Sequence, residues 1–171
     1  MSAPFRELFD SVGPALLRYL RRMLGSMSDA EEIVQDVFLK LHCRFQQEEP
    51  PLENPRAWLF RVATNAARDL DRERRVRARE AAHRPNPIVV DFELHVERRQ
   101  LTRRVLLRLP RRMRQVLLLW SEGFSYREIA EITAIEPGYI GVLLQRARSA
   151  FKKEYEQLDS ADSARTLDGL L

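Results

Sequence analysis

Along almost the whole chain apolar residues recur at three- and four-residue intervals, the period of a helix that buries one face. In "SDAEEIVQDVFLKLH", residues 28–42, Ile33, Val34, Val37, Phe38 and Leu41 fall on one side, while Glu32, Gln35, Asp36 and Leu39 fall on the other. Ser28 and Glu31 stand in S-x-x-E register, a capping box that predicts a helix start near Asp29. "ENPRAWLFRVATNAARDLDRERRVRAR" predicts a second helix, with Asn54 at the N-cap, Pro55 at the first helical position and an apolar face of Trp58, Leu59, Val62, Ala66 and Leu70.

Further on, "EGFSYREIAEITAIEPGYIGVLLQRARSAF" carries a second capping box, Ser125 with Glu128, and a hydrophobic staple of Phe124 with Ile129. It predicts a short helix over about 126–133, a turn at 133–136 and a longer helix opened by Pro137. In that longer helix Ile140, Leu143, Leu144, Ala147, Ala150 and Phe151 keep the period, and "LPRRMRQVLLLW" supplies the helix before the pair. Only the brief "IVVDF" alternates as a strand would, so the predicted class is all-α. "HRPNPIVVDF", residues 83–92, holds two prolines and loses the period, which marks a linker. The expected division is an N-terminal unit over 1–80, a linker over 81–97, a C-terminal unit over 98–156 and a tail over 157–171 that frays unless it docks.

Charge adds a partner to this picture. The net charge is +4 and lysine is confined to Lys40, Lys152 and Lys153, so the basic side chains are nearly all arginine, suited to phosphate contacts and base stacking. An arginine excess also follows from a GC-rich genome. Cys43 is the single cysteine and His42, His83 and His95 are scattered, which excludes a disulfide framework and gives no zinc-ligand spacing. "MSAPFRELFDSVG" lacks a basic region followed by an apolar core, and no uncharged run reaches spanning length, so a cytoplasmic protein without membrane insertion is expected. No Gly-rich phosphate loop, nucleophile paired with a base, or metal cluster speaks for an enzyme, and no cofactor is expected.

Three surfaces then stand out. Leu39 on the acidic side of its helix is either a stray surface leucine, which is common, or an apolar anchor inside an acidic rim made for a basic partner. Arg61, Arg68, Arg72, Arg75 and Arg79 recur by seven, four, three and four along one face, with only Asp71 close by. Such a row is either a solvated face or a track for a phosphate backbone. Thr64 and Asn65 flank it and Phe60 lies near it, placing hydrogen-bonding and stacking groups where an unpaired base is read; Asn65 could equally satisfy a neighbouring helix. The tight pair of helices is either an ordinary hairpin or a helix-turn-helix with Gly138, Gly141, Val142, Gln145 and Ser149 outward, flanked by Tyr139, Arg146 and Arg148. Arg111, Arg112 and Arg114 on the preceding helix are placed to hold phosphates.

Taken together, "DAEEIVQDVFLKL", "PRAWLFRVATNAARD" and "LPRRMRQVLLLWSEGFSYREIAEI" with "QRAR" after it resemble the extracytoplasmic-function group of bacterial sigma factors in the sigma-70 family, over most of residues 5–153. The resemblance implies two helical domains, regions 2 and 4, and assigns jobs to the features above. Glu32, Gln35, Asp36 and Leu39 would dock on the clamp helices of the polymerase beta-prime subunit. Phe60, Arg61, Thr64, Asn65, Arg68, Arg72 and Arg75 would meet the melted minus-ten element, with "QQEEPPLENP" as the specificity loop. Arg111, Arg112, Arg114, Arg127, Tyr139, Val142, Gln145, Arg146 and Arg148 would meet the minus-thirty-five element, and region 4 would also bind the beta flap. An anti-sigma factor is the other partner implied. The chain departs from the family's pattern at Gly141 and Leu143, where basic residues are usual, and in the acidity of Glu48, Glu49 and Glu53. The alternatives of other classes are a stand-alone helix-turn-helix regulator that binds closed duplex by itself, and a helical adaptor that tolerates loss of the arginine row.

Overall fold

The structure is a computed structural model that describes residues 3–47, 49–80 and 97–168, with side chains described over 5–47, 49–77 and 100–160. Seven helices make up the described residues: α1 Ala3–Leu24, α2 Met27–Gln46, α3 Pro55–Glu80, α4 Glu97–Arg108, α5 Arg111–Ser121, α6 Tyr126–Thr133 and α7 Pro137–Asp168. The fold is all-α, with no strand among the described residues. The linker segment 83–92 with its "IVVDF" lies outside them.

Chain chemistry explains where the helices start. Asn54 Oδ1 accepts from the Ala57 amide at 2.9 Å, so α3 begins at Pro55 as its sequence predicts. In α2 the start differs from the sequence expectation: Ser26, not Ser28, is the cap, in extended backbone and accepting from the Asp29 amide at 3.3 Å. The reason is the corner before it, where Gly25 at φ 76 turns the chain out of α1 and leaves Ser26 as the first residue able to bond forward. Ser28 is thereby carried inside the helix. α7 runs on to Asp168, past the start of the expected tail. Leu158 is buried with Leu101 and Val105 of α4, against Phe151 and Tyr155, so the far half of α7 has a surface to dock on.

The first three helices pack as a bundle around Val12, Leu16, Tyr19, Leu20, Ile33, Val37, Phe38, Leu59 and Ala63. α5, α6 and the first turns of α7 surround Val116, Leu119, Ile129, Ile132, Ile140 and Leu144. These two groups belong to one continuous core. Phe60 of α3 joins them, its ring 5.3 Å from Tyr19 on one side and 4.8 Å from Phe124, between α5 and α6, on the other.

Candidate nucleic-acid interface

On α2 the helical repeat leaves Glu32, Gln35 and Asp36 exposed and Leu39 among them, 61% exposed, while Ile33, Val37, Phe38 and Leu41 face the core. Leu39 also borders a cleft of about 410 Å³ that includes Asp36, Lys40, Cys43, Arg44 and Trp58. The acidic loop after α2 is tied back by Arg44, which pairs with Glu49 and donates to the Pro50 carbonyl at 2.8 Å. That leaves an apolar side chain in water, with Glu32, Gln35 and Asp36 on its side of the helix, Lys40 next to it and a recess beside it.

On α3, Arg61, Asn65, Arg68, Arg72 and Arg75 are exposed along one side, and the Arg79 side chain lies outside the described residues. Phe60 and Thr64 do not stand with them, which corrects the sequence expectation. Phe60 is fully buried between two aromatic rings, and Thr64, 1% exposed, shares a 2.8 Å hydrogen bond with the Tyr19 hydroxyl. The apolar area of Phe60 is removed from water by two helices at once, which outweighs any surface role in this arrangement. Burial pushes the Tyr19 phenol up to about 12 despite the Thr64 bond and the Arg111 charge, so it stays neutral and hydrogen-bonding.

The seam between the two helical groups runs along the flank of this arginine row. Arg56 stacks on the Phe124 ring at 4.2 Å and donates to the Glu122 carbonyl. Glu122 also pairs with Arg18 at 3.2 Å, and Asn54 Nδ2 donates to Glu128 Oε1 at 3.0 Å. Arg68 reaches the Thr133 carbonyl at 3.4 Å. Arg111 pairs with Asp71 at 3.0 Å and donates to the Arg68 carbonyl at 3.3 Å. Arg111 and Arg114, expected at phosphates, are therefore turned into the seam; Arg112 alone of the three is exposed. Burial lowers the pKa of both seam guanidiniums, with Asp71 opposing it, and Arg111 Nη2 and Arg114 Nε have no partner. Two partly desolvated guanidiniums thus share one carboxylate.

The tight helix pair is built as its caps require. Ser125 N donates to Glu128 Oε2 at 2.8 Å and the Glu128 amide returns to Ser125 Oγ at 3.3 Å, so the capping box is complete. Those bonds from Ser125 hold the Glu128 carboxyl below the usual carboxylate range. α6 ends at Ala134 in the left-handed region, φ 54, whose amide bonds the Ala130 carbonyl and swings the chain into α7. Gly138, Val142, Gln145 and Ser149 are exposed on α7, and Leu143 is buried. Arg146 donates to the Tyr139 hydroxyl at 3.1 Å, the Arg148 guanidinium lies 4.0 Å over the Trp120 ring, and Arg127 pairs with Glu131 within α6 at 3.2 Å. Sequence reasoning does not single out Tyr19, Asp71 or Glu122 at the seam, because partners that lie tens of residues away leave no local signal. No group of His, Cys, Asp and Glu among the described residues is placed to hold a metal ion, and no described helix is long and apolar enough to cross a membrane.

Comparison with known proteins divides the chain in the same way. The Sigma-70 region 2 family model matches residues 8–79 and the Sigma-70, region 4 model matches residues 99–151. The RNA polymerase sigma factor CarQ of Myxococcus xanthus is 30% identical over 158 residues, 90% of this chain and 86% of that protein. The ECF RNA polymerase sigma factor SigW of Bacillus subtilis is 26% identical over 169 residues, 90% of each. Among solved structures, the sigma factor RpoE in complex with the anti-sigma factor NepR from Bartonella quintana shares the fold with a TM-score of 0.74 at 24% identity, covering 91% of this chain and 98% of that one.

Proposed function

Because this chain belongs to the extracytoplasmic-function group of sigma factors in the sigma-70 family, we propose that it binds bacterial core RNA polymerase and directs it to the promoters of a regulated gene set. It carries out no catalysis of its own and works in the cytoplasm, where the polymerase is. The observation that carries the polymerase arm is Leu39, 61% exposed on the side of Glu32, Gln35 and Asp36 while Ile33, Val37, Phe38 and Leu41 of the same helix are buried. In the holoenzyme Leu39 seats on the beta-prime clamp helices, with Glu32, Gln35 and Asp36 meeting basic groups at the rim.

On the DNA side, Arg61, Asn65, Arg68, Arg72 and Arg75 follow the melted minus-ten strand. Arg112, Arg127, Tyr139, Val142, Gln145, Arg146 and Arg148 face the minus-thirty-five duplex while region 4 engages the beta flap. Arg111 and Arg114 become available only once the seam between the regions opens; Thr64 stays bonded to Tyr19 and Phe60 stays against the Tyr19 ring within their own bundle. A regulator of the anti-sigma kind, such as the one the Bartonella RpoE carries, fits this reading by holding the seam closed.

Run-off transcription on fragmented genomic DNA, with core polymerase alone and with core plus this protein, tests the proposal. New discrete transcripts that need the protein are the expected result. A footprint on duplex DNA without polymerase, and no new transcripts, would replace it with the stand-alone regulator.

A further inference from the structure

The outward side of α7 is uncharged where a recognition helix meets bases. At 100° per residue, Gly138, Val142, Gln145 and Ser149 lie within about 40° of one meridian, and all four are exposed, Val142 by 42%. The nearest arginines sit on the two flanks and are already held there. Arg146 is bound to the Tyr139 hydroxyl on one side, and Arg148 is stacked on Trp120 on the other. Gly141, on the Arg148 flank, contributes no side chain, and the nearest atom to where its Cβ would stand is on the Tyr126 ring at 3.5 Å. Gly138 has open space beyond it, which lets the helix start come close to the groove floor.

Base edges in the major groove select side chains by geometry. Guanine takes arginine or lysine, adenine takes the two-pronged amide of glutamine or asparagine, and the thymine methyl takes an apolar contact. The N-terminal turns of the recognition helix are the ones that reach the edges. Here those turns offer one amide, one isopropyl group and no cation on the meridian.

We propose that α7 reads an A·T-rich duplex element, with Gln145 on adenine N6 and N7, Val142 on a thymine methyl and no guanine-specific contact, while Arg146 and Arg148 hold flanking phosphates. This rests on α7 being the promoter-reading helix of the initiation factor. A guanidinium already fixed by a ring or a hydroxyl on the flank points at the backbone, and phosphate contacts position the helix without selecting sequence.

The test uses core polymerase with the full chain on a promoter recovered by genomic run-off, its upstream element changed one base pair at a time. Open-complex formation should fall about tenfold or more when the adenine facing Gln145 becomes guanine, and Gln145→Arg should reverse that preference. Replacing the contacted thymine by deoxyuridine, which lacks only the methyl, should weaken the wild type several-fold and leave Val142→Ala indifferent. Unchanged circular dichroism and unchanged start sites keep both variants interpretable. Specific transcripts from guanine-rich upstream elements, with Gln145→Arg showing the wild-type preference, would overturn the assignment while leaving the sigma-factor reading intact. An absence of any transcript that depends on the protein would overturn both.

Discussion

Leu39 owes its position to arithmetic: seven residues after Glu32 it returns to the same acidic side of α2. Leu39→Arg should therefore abolish co-purification with core polymerase while the melting temperature stays within about a degree, since exposed substitutions away from packing shift stability by under ~0.5 kcal/mol. Ala134 is a second residue whose conformation carries a consequence. It holds φ 54 without being glycine, a backbone region that costs an L side chain roughly 1–2 kcal/mol. Ala134→Gly removes the clash, though it also frees the unfolded chain. A net gain of up to about 1 kcal/mol in chemical denaturation is the expected outcome. Glu128 gives a pH signature. Its folded carboxyl is held down chiefly by the bonds to Ser125, so its contribution is full above the ordinary carboxylate value and is lost as pH falls through the lower folded one. The stability gap between wild type and Glu128→Gln should close on acidification below about pH 4, and a gap that stayed constant would show that the charge plays no part. These residue-scale features are legible in the sequence wherever the signal is local. The Ser125 box and the Asn54 cap follow from spacing alone. Ser26 escapes such a reading because a matching S-x-x-E two residues later looks equally good, and only the Gly25 corner decides between them.

At the scale of single helices, α3 is amphipathic in an unusual sense, with two apolar flanks and an arginine edge between exposed surfaces. Periodicity finds the edge and one flank. It does not find the flank that buries Phe60 and Thr64, because a helix touched from two sides shows a broadened apolar stripe that a single-face reading assigns partly to the surface. Arg72 and Arg75 are exposed, and neither enters a hydrogen bond or ion pair across the seam among the described residues. Arg72→Glu with Arg75→Glu should lower open-complex formation and reduce the salt dependence of promoter binding by about one unit of log–log slope for each phosphate that is no longer neutralised. An unaltered slope would leave the row as a solvated face. α7 teaches the converse lesson. Over its first four turns its outward and inward residues are legible from the period, since Ile140, Leu143, Leu144 and Ala147 keep to one buried side. Its length is not, because Leu158 finds its apolar partners on α4, more than fifty residues earlier.

The arrangement of the two regions belongs to the whole molecule, and no stretch of sequence announces it. A proline-containing linker is compatible with domains apart or together, and what brings them together here is one continuous apolar core with a ring from each region in contact, and polar bonds across the seam that include the Arg111–Asp71 pair. Asp71→Asn would leave Arg111 and Arg114 facing each other without a counter-charge. The loss of a charge-assisted bond of roughly 1.5–3 kcal/mol should open the seam, visible as a larger radius of gyration in small-angle scattering at low salt. If the variant scattered like the wild type, the apolar core and the remaining seam bonds, Arg18 to Glu122 and Asn54 to Glu128 among them, would be sufficient to hold the regions together. The interlocking of Asn54 with Glu128 has a mechanical consequence. Each of these side chains finishes its own helix start and spends a spare atom on the other. Pulling the regions apart breaks the shared bond and leaves both helix starts finished, so the molecule unfastens like a clasp whose halves keep their shape. Separation should then run on the timescale of domain motion instead of unfolding, and amide exchange at the first turns of α3 and α6 should stay slow even when the two regions are apart.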